Sequence, residues 1–264
     1  MARVNVSYAG TSLQTANIVC QEFDHEGLEH KQLDLQRLAV RDGSKLLNVT
    51  FNPRIIRIRG QLKYTTMALL EAGIDDFKEL LNKTTKHLDI GYASGTRRYT
   101  CDMARITILR RHFNLTYCDF EIEFVCSKYP FGRTLDTTSM EYSISSLATA
   151  WESFVASGNY NPLPKITMTF TEVANVDGVR VRNITTGDLI EVNKSGGFIN
   201  NDTIVIDCDQ KTVTLNGSAW DYTGVFPTFF PKGNDLRISM KGTPAAGLYH
   251  YKMTVSVVYY PMYL

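Results

Sequence analysis

The C-terminal stretch from Phe226 onward constrains this chain most. Phe226-Pro227-Thr228-Phe229-Phe230-Pro231-Lys232-Gly233-Asn234 reads as a loop, because its two prolines cannot donate to a strand ladder and Gly233 breaks regular structure. It leads into Asp235–Met240, a strand pattern. After a Gly/Pro break the chain closes on Met253-Thr254-Val255-Ser256-Val257-Val258-Tyr259-Tyr260-Pro261-Met262-Tyr263-Leu264. A strand at a terminus is stable only when it is paired, so the end of the chain is expected inside the fold.

The same alternation recurs upstream. In Tyr117–Cys126, residues Cys118, Phe120, Ile122, Phe124 and Cys126 share one face, while Asp119, Glu121 and Glu123 share the other. This is a half-buried strand with an acidic outer side. Ile56 and Ile58 alternate with Arg57 and Arg59. After about Arg133 almost everything reads as β. Ile166, Met168 and Phe170 alternate with polar residues, Asn183–Ile190 reads as strand, turn, strand, and Thr203–Leu215 reads as a hairpin ahead of an Asn216-Gly217 turn. The closely spaced strands predict an antiparallel sandwich. Gln32–Leu47 is poorly patterned and contains Asp42-Gly43, a hairpin-turn signal.

One long helix interrupts the strands. Leu70, Ile74, Phe77, Leu81 and Leu88 keep a helical spacing from about residue 65 to 88, with a gap at Thr84 and Thr85. Thr65 or Thr66 can cap it, and its polar face carries Asp76, Lys78, Glu79, Lys83 and Lys86. The fold class is mainly β (α+β), in two domains, 1–135 with the helix and 136–264.

Composition excludes several classes. With 264 residues, 44% hydrophobic and 21% charged, the chain is globular rather than disordered. A net charge of +1 does not argue for nucleic acid or an anionic membrane. No apolar run approaches a membrane span, and Met1–Tyr8 lacks a secretory apolar core. The expectation is a mature start here and residence in a cytosol. Cys20, Cys101, Cys118, Cys126 and Cys208 are odd in number with no C-x-x-C pair, so buried free thiols are expected rather than zinc or a disulfide framework.

No catalytic constellation emerges. His25, His30, His87, His112 and His250 fit no metal motif and read as solvated, and no nucleophile elbow, phosphate loop or dinucleotide motif is present. Asp207-x-Asp209 reads as turn chemistry before it reads as a calcium site. Catalytic, metal and cofactor residues are expected to be none. The cluster Arg54/Arg57/Arg59, with Arg97/Arg98 and Arg110/Arg111, lacks the aromatics and charge excess that nucleic acid wants. Set against Asp119, Glu121 and Glu123, it reads better as opposed charged stripes at a subunit interface.

These residues taken together resemble the distal tail protein (Dit) family of long-tailed, non-contractile bacteriophages. The resemblance rests on Ile74–Leu81 followed by Leu88-Asp89-Ile90 and Arg97-Arg98-Tyr99, on the Tyr129-Pro130-Phe131-Gly132 exit, on Gly158–Pro164, and above all on Phe226–Asn234 with the terminal Tyr259–Leu264. It implies an N-terminal β-sandwich with one amphipathic helix and a C-terminal galectin-like β-sandwich. It further implies a structural virion protein without catalysis. Six copies would form a ring hub that joins the tail tube to the tail tip or baseplate. Its partners would be the tail-tube protein, tail-tip hub and tail-associated proteins, and in many phages receptor-binding proteins. DNA would pass through the ring without sequence-specific binding, and no membrane partner is implied. The protein would be made in the bacterial cytoplasm and sit at the tip of the virion tail. Alternatives are a carbohydrate-binding module for host recognition, with Trp220 stacking on sugar, and a major tail-tube protein. The sugar-binding His-x-Asn-x-Arg triplet of galectins is missing from the sequence. A polar hairpin within Leu33–Phe51 is expected to reach a neighbouring subunit.

Overall fold

The computed structural model describes residues 5–24, 31–37, 44–110, 115–126, 130–145, 150–242 and 250–264. Met1–Leu135 with Leu264 form one compact unit, and Asp136–Tyr263 form a second.

The first unit contains β1 (Val6–Tyr8), β2 (Thr11–Ser12), β3 (Ile18–Asp24), β4 (Lys31–Arg37), β5 (Ser44–Phe51), β6 (Arg54–Lys63), α1 (Met67–Leu81), β7 (Lys86–Tyr92), β8 (Gly95–Leu109), β9 (Tyr117–Cys126) and β10 (Gly132–Thr134). The antiparallel order is β2-β1-β7-β8-β9-β6-β3, with β10 also on β8. Strand β8 belongs to both halves. Its residues up to Cys101 pair with β7, and those from Asp102 pair with β9. The sandwich is therefore one sheet that changes partners midway along β8. Val6, Tyr8, Leu88 and Ile90 of one half and Ile56, Ile58, Phe120, Ile122 and Phe124 of the other are fully or almost fully buried. The Tyr8 and Phe124 rings meet with centroids 4.9 Å apart.

Helix α1 covers this core. Thr66 caps it by accepting from the Leu69 amide at 3.3 Å, and Leu70, Ile74, Phe77 and Leu81 face inward. Phe77 packs on Phe120 at 5.0 Å between centroids. Gly73 lies against Tyr64 so closely that a Cβ there would fall 2.2 Å from the ring, so any larger residue would require the Tyr64 side chain to move. The helix is shorter than its apolar spacing suggests. It ends at Leu81 with Asn82 as cap, and Thr85 turns the chain with φ 50°. Leu88 is buried instead as a strand residue of β7, paired with Tyr8.

The expectation of free thiols throughout also needs correction. Cys101 and Cys126 form a disulfide across β8 and β9, with Cα atoms 4.2 Å apart, whereas Cys20, Cys118 and Cys208 are free. The pairing arises from strand register, which brings together residues 25 apart in sequence. Among the described residues, strands β4 and β5 pair only with each other as a two-stranded ribbon, and Leu33 and Leu35 on β4 are 52% and 54% exposed. The Asp42-Gly43 turn lies outside the described residues.

The second unit is an antiparallel sandwich. It contains β11 (Thr138–Ser145), β12 (Ala150–Phe154), β13 (Lys165–Ala174), β14 (Gly178–Asn183), β15 (Leu189–Asn193), β16 (Thr203–Asp207), β17 (Thr212–Leu215), β18 (Ser218–Ala219), β19 (Thr223–Gly224), β20 (Asn234–Lys241), β21 (His250–Tyr259) and β22 (Met262–Tyr263). One sheet runs β11-β21-β13-β16-β17-β18 and the other β12-β20-β14-β15-β19. The near-terminal strand β21 lies inside its sheet, between β11 and β13. Ile166, Met168, Phe170, Ile204, Ile206, Met253, Val255 and Val257 of the first sheet and Val179, Val181, Ile190, Val192, Leu236 and Ile238 of the second form the core.

Side chains set the Phe226–Asn234 loop. Buried Asn183 donates through Nδ2 to the Thr228 carbonyl at 2.6 Å and to Asn234 Oδ1 at 3.0 Å. Asn234 closes the turn on itself, accepting from the Phe230 amide at 2.7 Å and donating to the Phe230 carbonyl at 2.8 Å. Asp188 accepts from both the amide and the hydroxyl of Thr228. Phe229 is thereby driven into the core between Phe154 and Tyr259, and its amide reaches the Pro162 carbonyl at 3.2 Å. The two sequence motifs Gly158–Pro164 and Phe226–Asn234 thus meet. Gly158, at φ 104°, admits the Met262 carbonyl to 2.4 Å from where a Cβ would sit.

Candidate interaction surfaces

The charged residues singled out in the sequence gather on the outer face of the first unit's sheet. Strand β3 presents Glu22 and Asp24, β6 presents Arg57, Arg59 and Gln61, β9 presents Glu123, Glu121 and Asp119, and β8 presents Arg105 and Thr107. Register sets acid opposite base in successive rows. Arg57 Nε lies 3.0 Å from Glu123 and its Nη1 lies 3.7 Å from Asp24. Arg59 reaches Glu121 and Glu22, both at 3.3 Å. Gln61 donates to Asp119 at 2.8 Å. The hydrogen bond to Glu121, reinforced by the one to Glu22, holds Arg59 still more firmly protonated than usual.

Two expectations change here. The opposed stripes first meet within one subunit, as cross-strand neighbours on adjacent β6 and β9. Arg54 does not share their face. It is an odd number of residues from Arg57, so the pleat turns it to the core side, where it is 3% exposed, donates to the Pro130 carbonyl at 3.3 Å and stands 5.5 Å from the Tyr99 ring centroid.

The other basic residues do not merge into a patch. Arg98 makes a bidentate pair with Asp89 at 2.7 and 2.8 Å, Arg97 lies 4.3 Å over the Tyr92 ring, and Arg110 pairs with Glu71 at 3.2 Å. Arg111 lies outside the described residues. His87 is part-buried near the Thr100 hydroxyl, and burial, aided by Arg98 and Arg133, lowers its pKa and favours the neutral ring. The remaining histidines lie outside the described residues, except that His250 has its backbone placed on β21, opposite Ala174.

Asp207 accepts from the amides of Asp209 and Gln210 at 3.1 and 3.0 Å, which is the geometry of a side chain closing a turn. Among the described residues no group of three or more His, Cys, Asp or Glu side chains is placed to hold a metal.

In the second unit Trp220 packs against the sandwich core and donates its indole N–H to the Asn193 carbonyl at 2.9 Å. Its ring stays part-exposed, so the hydrogen bond orients the indole without covering it. Beside it in the fold, Glu191 is held between Arg180 at 2.6 Å and Lys241 at 3.0 Å, and these bonds bring its pKa down to about 2. Sequence reading missed this triad, the Asn183–Asn234 pair and the disulfide. Each joins residues distant in sequence, and only strand register reveals them.

The class defined by these features is a two-unit, nearly all-β protein whose described polar groups lock strands and turns. Residues 157–250 match the family described as siphovirus-type tail component, C-terminal domain. The crystal structure of SPP1 Dit, described as a paradigm of the hub adsorption apparatus in phages infecting Gram-positive bacteria, covers 100% of both chains at 15% identity with a TM-score of 0.72. Structures of the phage p2 baseplate in its activated conformation are more distant. With strontium the match has 10% identity, 96% and 97% coverage and a TM-score of 0.46, and with calcium 9%, 98% and 98%, and 0.44. No curated protein matches the sequence. Residues 157–250 are thus similar to the C-terminal domain of siphovirus-type tail components, and the whole chain has the fold of SPP1 Dit.

Proposed function

We propose that this protein is the distal tail hub, a structural protein acting without catalysis. Six copies form a ring through their N-terminal units, join the tail tube to the tail tip or baseplate, and leave a central passage for DNA. The observation that carries this reading is the tail-component match in residues 157–250 on a chain that shares the SPP1 Dit fold from end to end. Two surfaces suit ring contacts. One is the β3-β6-β9-β8 charged face, already ordered within the subunit and so presented without loss of side-chain freedom on docking. The other is the β4–β5 ribbon. A lone two-stranded ribbon is marginal in water, and exposed Leu33 and Leu35 give it reason to pack on a neighbouring copy. Two different surfaces on one chain are what a heterologous, ring-closing contact requires.

Negative-stain electron microscopy with light scattering tests the proposal. Six-fold rings with a central hole are expected. Particles that remain monomeric even with tube and tip proteins supplied would refute it. Long stacked tubes formed by the protein alone would instead mark a tail-tube protein. The carbohydrate reading ranks below, because the sequence lacks the galectin His-x-Asn-x-Arg triplet and residues 157–250 match a tail component.

A further inference from the structure

We propose that Cys101 and Cys126 act as a redox-responsive staple, a dithiol while the chain is in the reducing cytoplasm and a disulfide once it is outside. The timing rests on the tail-hub reading, but the chemistry of the pair does not.

The location carries the argument. Cys101 is the last residue of β8 paired with β7, and the next residue, Asp102, is the first paired with β9. Cys126 in turn pairs with Arg54 on β6. The bond therefore sits where the sheet changes partners, a few residues from the Arg105 and Glu123 row of the charged face. Both cysteines are at most 1% exposed, so exchange with outside thiols and disulfides needs a local opening of the strands, which slows closing and reopening alike. The ladders on either side do not need the bond, so the dithiol can hold the same fold. Closing the bond ties a 25-residue separation in the unfolded chain and raises stability mainly there.

The remaining cysteines, Cys20, Cys118 and Cys208, stand outside the pair as free thiols, and burial pushes the Cys20 thiol up to about 12. In the closing step the two thiols lose two protons and two electrons and form one S–S bond. A low-molecular-weight disulfide such as oxidised glutathione takes them up and leaves as two thiols.

The test uses the full chain made in a bacterial cytosol. One sample is alkylated in denaturant at lysis, another after native incubation with oxidised glutathione, and both are mapped by peptide mass spectrometry. The expected result is alkylated Cys101 and Cys126 at lysis and a linked Cys101–Cys126 peptide pair after oxidation. Cys20, Cys118 and Cys208 should stay alkylatable, and the unfolding temperature of the first unit should rise by on the order of 10 °C. The double variant Cys101→Ala with Cys126→Ala should show no oxidation-dependent rise. If that variant fails to fold, the wild-type thiol map and melting shift still decide. Thiols left free after oxidation, a bond already complete at lysis, or a bond without a melting shift would each overturn the proposal. Particle images of the reduced protein report separately on the ring, so a monomer would count against the hub reading and leave the thiol result standing.

Discussion

Replacing Asn183 with alanine should loosen the Phe226–Asn234 loop and destabilise the second unit by about 3 kcal/mol. Asn183 is fully buried and makes three bonds, to the Thr228 carbonyl, to Asn234 Oδ1 and from the Thr185 amide. Thr185 is exposed, so water can replace that one. The other two lie deeper. Roughly 1 kcal/mol for each, with about 1 more for the hole left by the carboxamide, makes up the figure. For a unit of this size that corresponds to a fall in melting temperature on the order of 10 °C. Urea unfolding followed by circular dichroism measures it, and proteolysis within Phe226–Asn234 should accelerate in parallel. Asn183→Asp sharpens the reasoning. Its carboxylate would face the Thr228 carbonyl, where the amide now donates at 2.6 Å. It should be less stable than the alanine variant at pH 8 and recover as the pH falls, because protonation restores a donor. A loss below about 1 kcal/mol for the alanine variant, or an aspartate variant indifferent to pH, would refute this account of the loop.

Charge reversal at Arg57 and Arg59 should leave the monomer folded, since exposed ion pairs contribute about 0–1 kcal/mol each, yet abolish ring assembly. Adding Glu121→Arg and Glu123→Arg restores the pairs within the subunit, and assembly that returned fully would show that no neighbour reads this face. Leu33→Ser with Leu35→Ser should lower assembly and leave the monomer's melting curve unchanged, as both side chains are half exposed already. Glu191 supplies a pH dependence. Its folded pKa, about 2, lies below its ordinary 4.5, so its stabilising contribution is complete above 4.5 and is lost as the pH falls toward 2. Glu191→Gln should flatten the stability profile in that window, which acid titration of the unfolding midpoint would reveal.

Much of the fold was legible because the large sheets of both units have one dry face. Strand β9 follows a strict half-buried alternation that its sequence spells out, and so does β6. The helix was legible too, but its end was not. Leu88 lies seven residues after Leu81, which continues a helical stripe, yet Leu88 and Ile90 also alternate as a strand. Tertiary pairing with β1 decided between the two patterns. Arg54 could have been placed by counting parity from Arg57. The partners of Arg57 and Arg59 could not, because they depend on which strand lies beside β6 and in what register. The Cys101–Cys126 bond was hidden for the same reason.

Sequence identity of 15% to a chain of the same fold is understandable from where the stringent positions fall. Core strands such as β13 and β21 need apolar residues of suitable volume, and many combinations supply them. A few backbone sites accept much less. Gly73 lies against Tyr64, Gly158 against the Met262 carbonyl, and Asn183 and Asn234 must each donate and accept within one loop. Those sites lie in or beside the segments on which the family resemblance rests, Ile74–Leu81, Gly158–Pro164 and Phe226–Asn234. Those positions are fixed by turn chemistry and close approach, whereas core positions are fixed by volume and apolarity. It follows that a substitution such as Ile166→Val in the core should be tolerated far better than Gly158→Ala, although the alanine adds a single carbon.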